Sequence, residues 1–254
     1  MPWLILATGP ILAFLLAPLL AALVMSLAPT ETLTLAPASL SLRWYAEFFT
    51  NPRWIQATIN SLIVGGGATL VATLLGTAAA IGLHFGRFPA RGLLLSILTL
   101  PVVTPFIVTG AALFFAFSAV GLSGSLVGLV LGHSVIASPF VVVTVLAALQ
   151  GQDANLLRAA ASLGASPLLA LRRVVLPLIA PGVAAGAVFA FATSLDEFII
   201  SLFLAGPGQF TLPRQMYATV REYTTPTILA AATLLVALSI LFVLATEALR
   251  RRAA

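Results

Sequence analysis

The chain has 254 residues, 61% hydrophobic and only 7% charged, with a formal net charge of +5 and a mean hydropathy of +1.14. A soluble domain carries about a quarter charged residues, so this is a polytopic membrane protein, and its basic balance reflects membrane topology rather than nucleic-acid binding. There is no cysteine, hence no disulfide, thiolate metal site or thiol nucleophile, and no lysine, hence no Walker A loop for nucleotide phosphates.

Apolar runs of about 20 residues or more read as spanning helices. The first covers residues 2–27; it is long and lacks a basic leader and a cleavage site, so it reads as a retained span. An aromatic-rich polar stretch follows, with Trp44, Tyr45, Phe48, Phe49 and Trp54 suited to the membrane–water boundary. Further spans are expected at 57–83, 92–120, 126–149, 178–204 and 226–249, making one all-α domain of six transmembrane helices. Pro101, Pro105 and Pro139 mark places where a span would free backbone carbonyls, which protein or a water-filled path must satisfy. Small residues recur every four positions at Gly65, Thr69, Thr73 and Thr77, and again at Gly182, Gly186, Ala190 and Ser194, a spacing that lets helices pack closely. His84 and His133 lie far apart without a motif, so a catalytic zinc site is not expected from them and both read as structural or interfacial.

Eight of the twelve arginines (Arg87, Arg91, Arg158, Arg172, Arg173 and Arg250 to Arg252) fall on the side of the chain termini. Arg43, Arg53, Arg214 and Arg221 fall on the other. The positive-inside rule therefore puts both termini and the 150–177 segment in the cytoplasm.

That segment is a polar island between apolar spans. Asp153 is an N-cap for a short helix over 154–163, and Gly164 stands where a helix end needs a left-handed residue. Ser166-Pro167 reads as an N-cap plus first-turn proline opening a second short helix, before Pro177 and Pro181 lead into the fifth span. Leu156, Ala160 and Leu163 share one face of the first helix. Any polytopic protein needs such loops, so the residues alone leave a plain connector open. In the fifth span, Asp196-Glu197 is the one acidic pair deep in an apolar run. At 1.5 Å per residue Asp196 lies about 27 Å beyond Leu178, in the outer half, with one acid expected to face a pathway and its neighbour packed. Pairing of these acids with Arg214 or Arg221 at the interface is the plainer reading.

Arg158-Ala159-Ala160, three residues, Gly164, nine residues, then Val174-x-Leu176-Pro177 resembles the EAA loop of ABC-importer permeases, with Arg158 in the place of its glutamate. The run SLDEFIISLFLAGPGQFTLPRQMYATVRE, with LPVVTPFIVTG and SLRWYAEFF upstream, is similar to the spermidine/putrescine branch of that family. The resemblance implies a type I (MetI-like) importer permease in a bacterial inner membrane. It implies no cofactor of its own, ATP being bound by two copies of an ABC ATPase. A second permease chain, expected to be related but different, and a soluble binding protein that delivers the solute complete the implied assembly. ATPase coupling would fall to Asp153, Leu156, Leu157, Arg158, Ala159, Ala160, Gly164, Ala165, Arg172, Leu176 and Pro177. The solute path or gate would fall to Thr193, Ser194, Asp196 and Glu197, where an acid suits a cationic solute. The rival is an ion-coupled transporter or channel built on Asp196 and Glu197. Against it, the first four spans hold no acid or arginine to relay a proton.

Overall fold

The computed structural model describes residues 2–31, 35, 37, 39–86, 89–222 and 225–253, and every regular element among them is helical. In chain order these are α1 (Pro2–Ser26), α2 (Arg43–Thr50), α3 (Pro52–Phe85), α4 (Arg91–Val103), α5 (Phe106–Ala119), α6 (Leu126–Gln150), α7 (Ala154–Ser162), α8 (Pro167–Ala170), α9 (Leu176–Asp196), α10 (Ile199–Leu204), α11 (Leu212–Glu222) and α12 (Thr227–Ala253). A π-helical turn, Leu171–Val175, joins α8 to α9.

Among the described residues, four helical runs are long and apolar enough to cross a membrane unaided: Thr8–Ser26, Pro52–Phe85, Leu126–Gln150 and Pro167–Asp196. The expected third span is instead a broken one. α4 and α5 meet at Thr104-Pro105 with a bend of 106°, because Pro105 cannot donate to a helical carbonyl and pushes Thr104 into an extended conformation (φ −72°, ψ 133°). The expected sixth span begins α12, where Thr227–Phe242 forms a shorter apolar helix.

The fifth span departs most from expectation. It starts eleven residues early, since Pro167–Asp196 is one run of 30 residues. The second short helix of the island is thus the foot of this span rather than a separate element. Pro177 explains the π turn between them: its ring cannot donate to Arg173 and would clash with that carbonyl in an α-helix. Widening the preceding turn, so that the Leu176 N–H reaches Leu171, removes the conflict. At its other end the span stops at Asp196, and Glu197 and Phe198 interrupt it before α10.

α3, α6 and α9 pack against one another as the centre of the bundle. On the side nearest the 150–177 loop they enclose Ala72, Ala80, Val141, Val145, Ile179 and Ala190; toward the other end Val64, Leu129, Ile136, Ile200 and Leu204 form a second cluster. The α9 glycines sit at the closest approach. A methyl group on Gly186 would lie 2.5 Å from the Thr144 hydroxyl and 3.1 Å from the Val141 backbone. In α3 the buried stripe is Ala68, Ala72, Gly76 and Ala80, one position before the threonines read from sequence. Thr69, Thr73 and Thr77 flank it, half-buried, because threonine occupies more of the seam than alanine. α1 lies against α12 with most of its surface exposed, and α2 is strapped beneath it by Trp44 Nε1 donating to the Ala28 carbonyl at 2.7 Å.

Candidate functional site

The loop after α6 folds as the local sequence dictates. Asp153 accepts the Asn155 N–H at 2.9 Å, capping α7. At the other end Gly164 has φ +82°, and the chain closes in a Schellman motif: Gly164 N–H to Ala161 at 2.9 Å and Ala165 N–H to Ala160 at 3.0 Å. Ser166 then caps α8 by accepting from the Leu169 N–H at 3.4 Å. Every helical end in the elbow is satisfied from within, so its side chains are free to meet a partner.

The apolar side chains of this elbow are turned outward. Leu163 is 89% exposed, Leu168 56% and Leu156 41%, while Arg158 and Ala159 are exposed and Ala160 half-buried. Leu157 is the inward anchor, packing on the core cluster through α6 and the π turn. Between elbow and bundle lies a cleft of about 290 Å³ lined by His84, Gln150, Gln152, Asp153, Leu156 and Val174, among others. Arg158 reaches only Asn155, at 3.4 Å. Arg172 and Arg173 are exposed on the π turn, followed by exposed Leu176 and Pro177. All the expected coupling residues thus lie on one continuous elbow-and-foot unit.

At the other end of α9 the two acids have separated roles. Asp196 is the last helical residue and is exposed; with Thr193, Ala192, Leu235 and Ser239 it lines a cleft of about 420 Å³ between α9 and α12. Glu197 is off the helix (φ −79°, ψ 123°) and 5% exposed. Its carboxylate accepts the Ile199 N–H at 2.9 Å and the Ile200 N–H at 2.7 Å, capping α10. The expectation that both acids ride one helix, 100° apart, is therefore corrected: Glu197 is drawn out of the helix to satisfy the first amides of the next. Neither acid forms an ion pair among the described residues. Arg214 stacks on Phe210 and Arg221 on Tyr217 instead, and the ion pair present joins exposed Arg53 and Glu222 at 3.9 Å.

Thr193 and Ser194 also part company. Thr193 faces the cleft, whereas Ser194 is buried against α6, where His133 Nδ1 lies 2.8 Å from its hydroxyl. Sequence reasoning gave His133 no role beyond structure or interface. The available signal was a lone imidazole inside an apolar span, which demands polar partners that the sequence does not name. A further cleft, about 500 Å³, lies at the end of the bundle away from the elbow and is lined by Gln56, Asn60, Phe210, Gln215 and Glu222, among others. There Asn60 donates to the Gly208 and Phe210 carbonyls at 3.1 and 3.0 Å and pins the 205–211 loop.

Electrostatically the break is one-sided. A helix C-terminus carries partial negative charge on its free carbonyls and an N-terminus partial positive charge. Glu197 caps the start of α10, while Asp196 stands exposed at the end of α9. The arrangement is suited to hold a cation in the cleft.

Residues 72–254 match the family model of binding-protein-dependent transport system inner membrane components. The spermidine/putrescine transport system permease protein PotC of Haemophilus influenzae is 34% identical over 212 residues, 84% of this chain and 82% of that protein. Among solved structures, a bacterial ABC transporter that imports the acidic polysaccharide alginate superposes with a TM-score of 0.71 at 15% identity, covering 97% of this chain and 93% of that one. The MetNI methionine ABC transporter, in inward-facing conformations, superposes at 0.67 and 21% identity over 79% of this chain and 95% of that one. These superpositions establish the type I importer permease fold.

Proposed function

Because this chain belongs to the family of binding-protein-dependent transport system inner membrane components, we propose that it moves a polyamine-like organic cation through a bacterial inner membrane, with both termini in the cytoplasm. The chain itself is the permease subunit. Hydrolysis of ATP belongs to two copies of a separate ATPase, which dock on the 150–177 elbow. A second, related permease chain completes the path, and a soluble binding protein delivers the solute. The chain holds no cofactor of its own.

One observation carries this reading: the outward-facing elbow and the exposed acid are the two ends of one helical run, Pro167–Asp196. Movement imposed on Leu156, Leu163 and Arg158 by a closing ATPase is transmitted along α9 to the cleft at Asp196. A rigid-body tilt then exposes the cleft to one side and closes it to the other, biased by ATP and by the loaded binding protein. The similarity to PotC favours a polyamine, and the negative end of α9 suits one.

The test is a gentle-detergent pull-down of the tagged protein from its native membranes, followed by reconstitution and spermidine and putrescine uptake. Co-purification of an ATPase, with uptake that requires ATP, supports the reading. A lone species that transports without ATP sinks it and returns Asp196 and Glu197 to an ion-coupled mechanism.

A further inference from the structure

His133 sits on α6 with no exposure to solvent, and its ring lies between two hydroxyls on opposite sides of the break in the fifth span. Nδ1 is 2.8 Å from Ser194 Oγ in the last turn of α9, and Nε2 is 3.0 Å from Ser201 Oγ in α10. Thr211 Oγ1 donates to Ser201 Oγ at 3.0 Å. The Ser201 proton is then free for Nε2, which leaves Nδ1 as the ring's donor toward Ser194. Ser194, Ser201 and Thr211 are all within 4% exposure, so water has little access to replace any of these bonds.

The two serines are separated by the only non-helical residues of the region, Glu197 and Phe198. Such a joint absorbs an angular change in a few backbone dihedrals. α10 packs on α5 and α6, and its last residue, Leu204, accepts the Gly124 N–H at 2.8 Å. α9 packs along α3 and α6 and is rooted in the elbow. A rigid imidazole meets both hydroxyls at only one angle of the joint. Tilting α9 away from α10 must release one of them.

We propose that His133 is a positioning residue for transport, a two-armed latch that holds α9 and α10 at one angle and so sets where Asp196 stands in its cleft. The imidazole does this as a neutral ring, one nitrogen donating and the other accepting. The latch keeps the permease in one of its two states until the elbow is driven, and its release is part of each cycle. The proposal rests on the reading of α9 as the lever from the docking loop. The two fail differently: that reading fails if the ATPase stays bound and coupled in Gly164→Pro, the latch if coupling is unchanged in the His133 variants.

The experiment uses the whole complex in lipid nanodiscs and proteoliposomes, measuring unstimulated hydrolysis, binding-protein-stimulated hydrolysis and spermidine moved per ATP. His133→Leu keeps the volume and removes both arms. His133→Asn keeps a group at the Nδ1 position, and His133→Gln one at the Nε2 position. The expected result for His133→Leu is unstimulated hydrolysis raised about fivefold, the equilibrium weight of one neutral hydrogen bond, with fewer molecules moved per ATP. The Asn and Gln variants fall between it and the wild type. Should His133→Leu fail to assemble, Ser194→Ala and Ser201→Ala remove the arms singly with little change in volume, and each is expected to uncouple in the same direction. Wild-type ratios in the assembled variants overturn the latch. So does a fall in transport and hydrolysis in strict proportion to thermal stability, which marks a purely structural histidine.

Discussion

The Glu197 carboxylate accepts the backbone N–H of Ile200 at 2.7 Å while sitting three residues before it, reaching past Phe198 to cap the start of α10 in the middle of an apolar span. A buried cap of this kind contributes about 1 kcal/mol. Glu197→Ala is therefore expected to lower the melting temperature of the purified protein by about 2–4 °C, with Glu197→Gln in between because one acceptor oxygen remains. Differential scanning in detergent measures it; an unchanged midpoint for Glu197→Ala removes the cap from the account.

Asp196, by contrast, has no hydrogen bond or ion pair to lose among the described residues. Asp196→Asn is expected to leave thermal stability unaltered and to raise the KM for spermidine about tenfold, the effect of about 1.4 kcal/mol of lost attraction. Uptake into proteoliposomes at varied spermidine concentration decides the point. An unaltered KM places the cation elsewhere.

The elbow depends on a single left-handed residue. Gly164 at φ +82° has nothing within 4 Å of a would-be methyl group, so a substitution there acts through the backbone alone. Gly164→Ala is expected to cost about 1–2 kcal/mol at that turn and to weaken ATPase co-purification. Gly164→Asn, which tolerates the left-handed region, is expected to retain more of it. Equal retention in both variants would falsify a role for the turn geometry.

Arg158 stands where the EAA loop carries glutamate, and among the described residues its guanidinium meets Asn155 alone, at 3.4 Å. Its charge is thus available to the docked subunit. Arg158→Glu is expected to release the ATPase at lower ionic strength than the wild type, whereas Arg158→Gln changes this less. The readout is ATPase retained on the tagged permease across a salt series.

Packing in the α6–α9 seam supplies a paired test. Gly186→Val drives a branched side chain into Thr144 and Val141 and is expected to cost about 1–3 kcal/mol, seen as loss of folded yield. Gly82→Ala in α3 meets nothing within 4 Å and is expected to stabilise by about 0.5–1 kcal/mol. The two variants separate crowding from helix propensity.

What the sequence revealed and what it hid divide by range. The cap at Asp153, the left-handed Gly164 and the Ser166-Pro167 start are local, and each followed from a residue's own backbone preference. The bend at Thr104-Pro105 was marked by its proline, though its angle was not. The break at Glu197 was hidden because LDEFII contains neither glycine nor proline. A glutamate ahead of an apolar run is a capping signal, yet within a long apolar segment a continuous helix explains the same letters. The His133 contacts were out of reach altogether, since Ser194 and Ser201 lie 61 and 68 residues away. In the α3 stripe Gly65 is buried as read, but Thr69, Thr73 and Thr77 lie one position off the buried Ala68, Ala72 and Gly76, because alanine and threonine both count as small until a neighbouring helix shows which fits.

The π turn at Leu171–Val175 also fixes a phase. Along a helix each residue turns the face by about 100°, so the orientation of Asp196 relative to the elbow depends on how many residues lie between them and on how that turn is wound. Removing one residue from α9 between Leu176 and Asp196, where no wide turn absorbs the change, would keep both ends intact and rotate one against the other by about 100°. Residue number between Ser166 and Asp196 is therefore as much a part of the transport machinery as residue identity, and this stretch is expected to tolerate substitution far better than insertion or deletion.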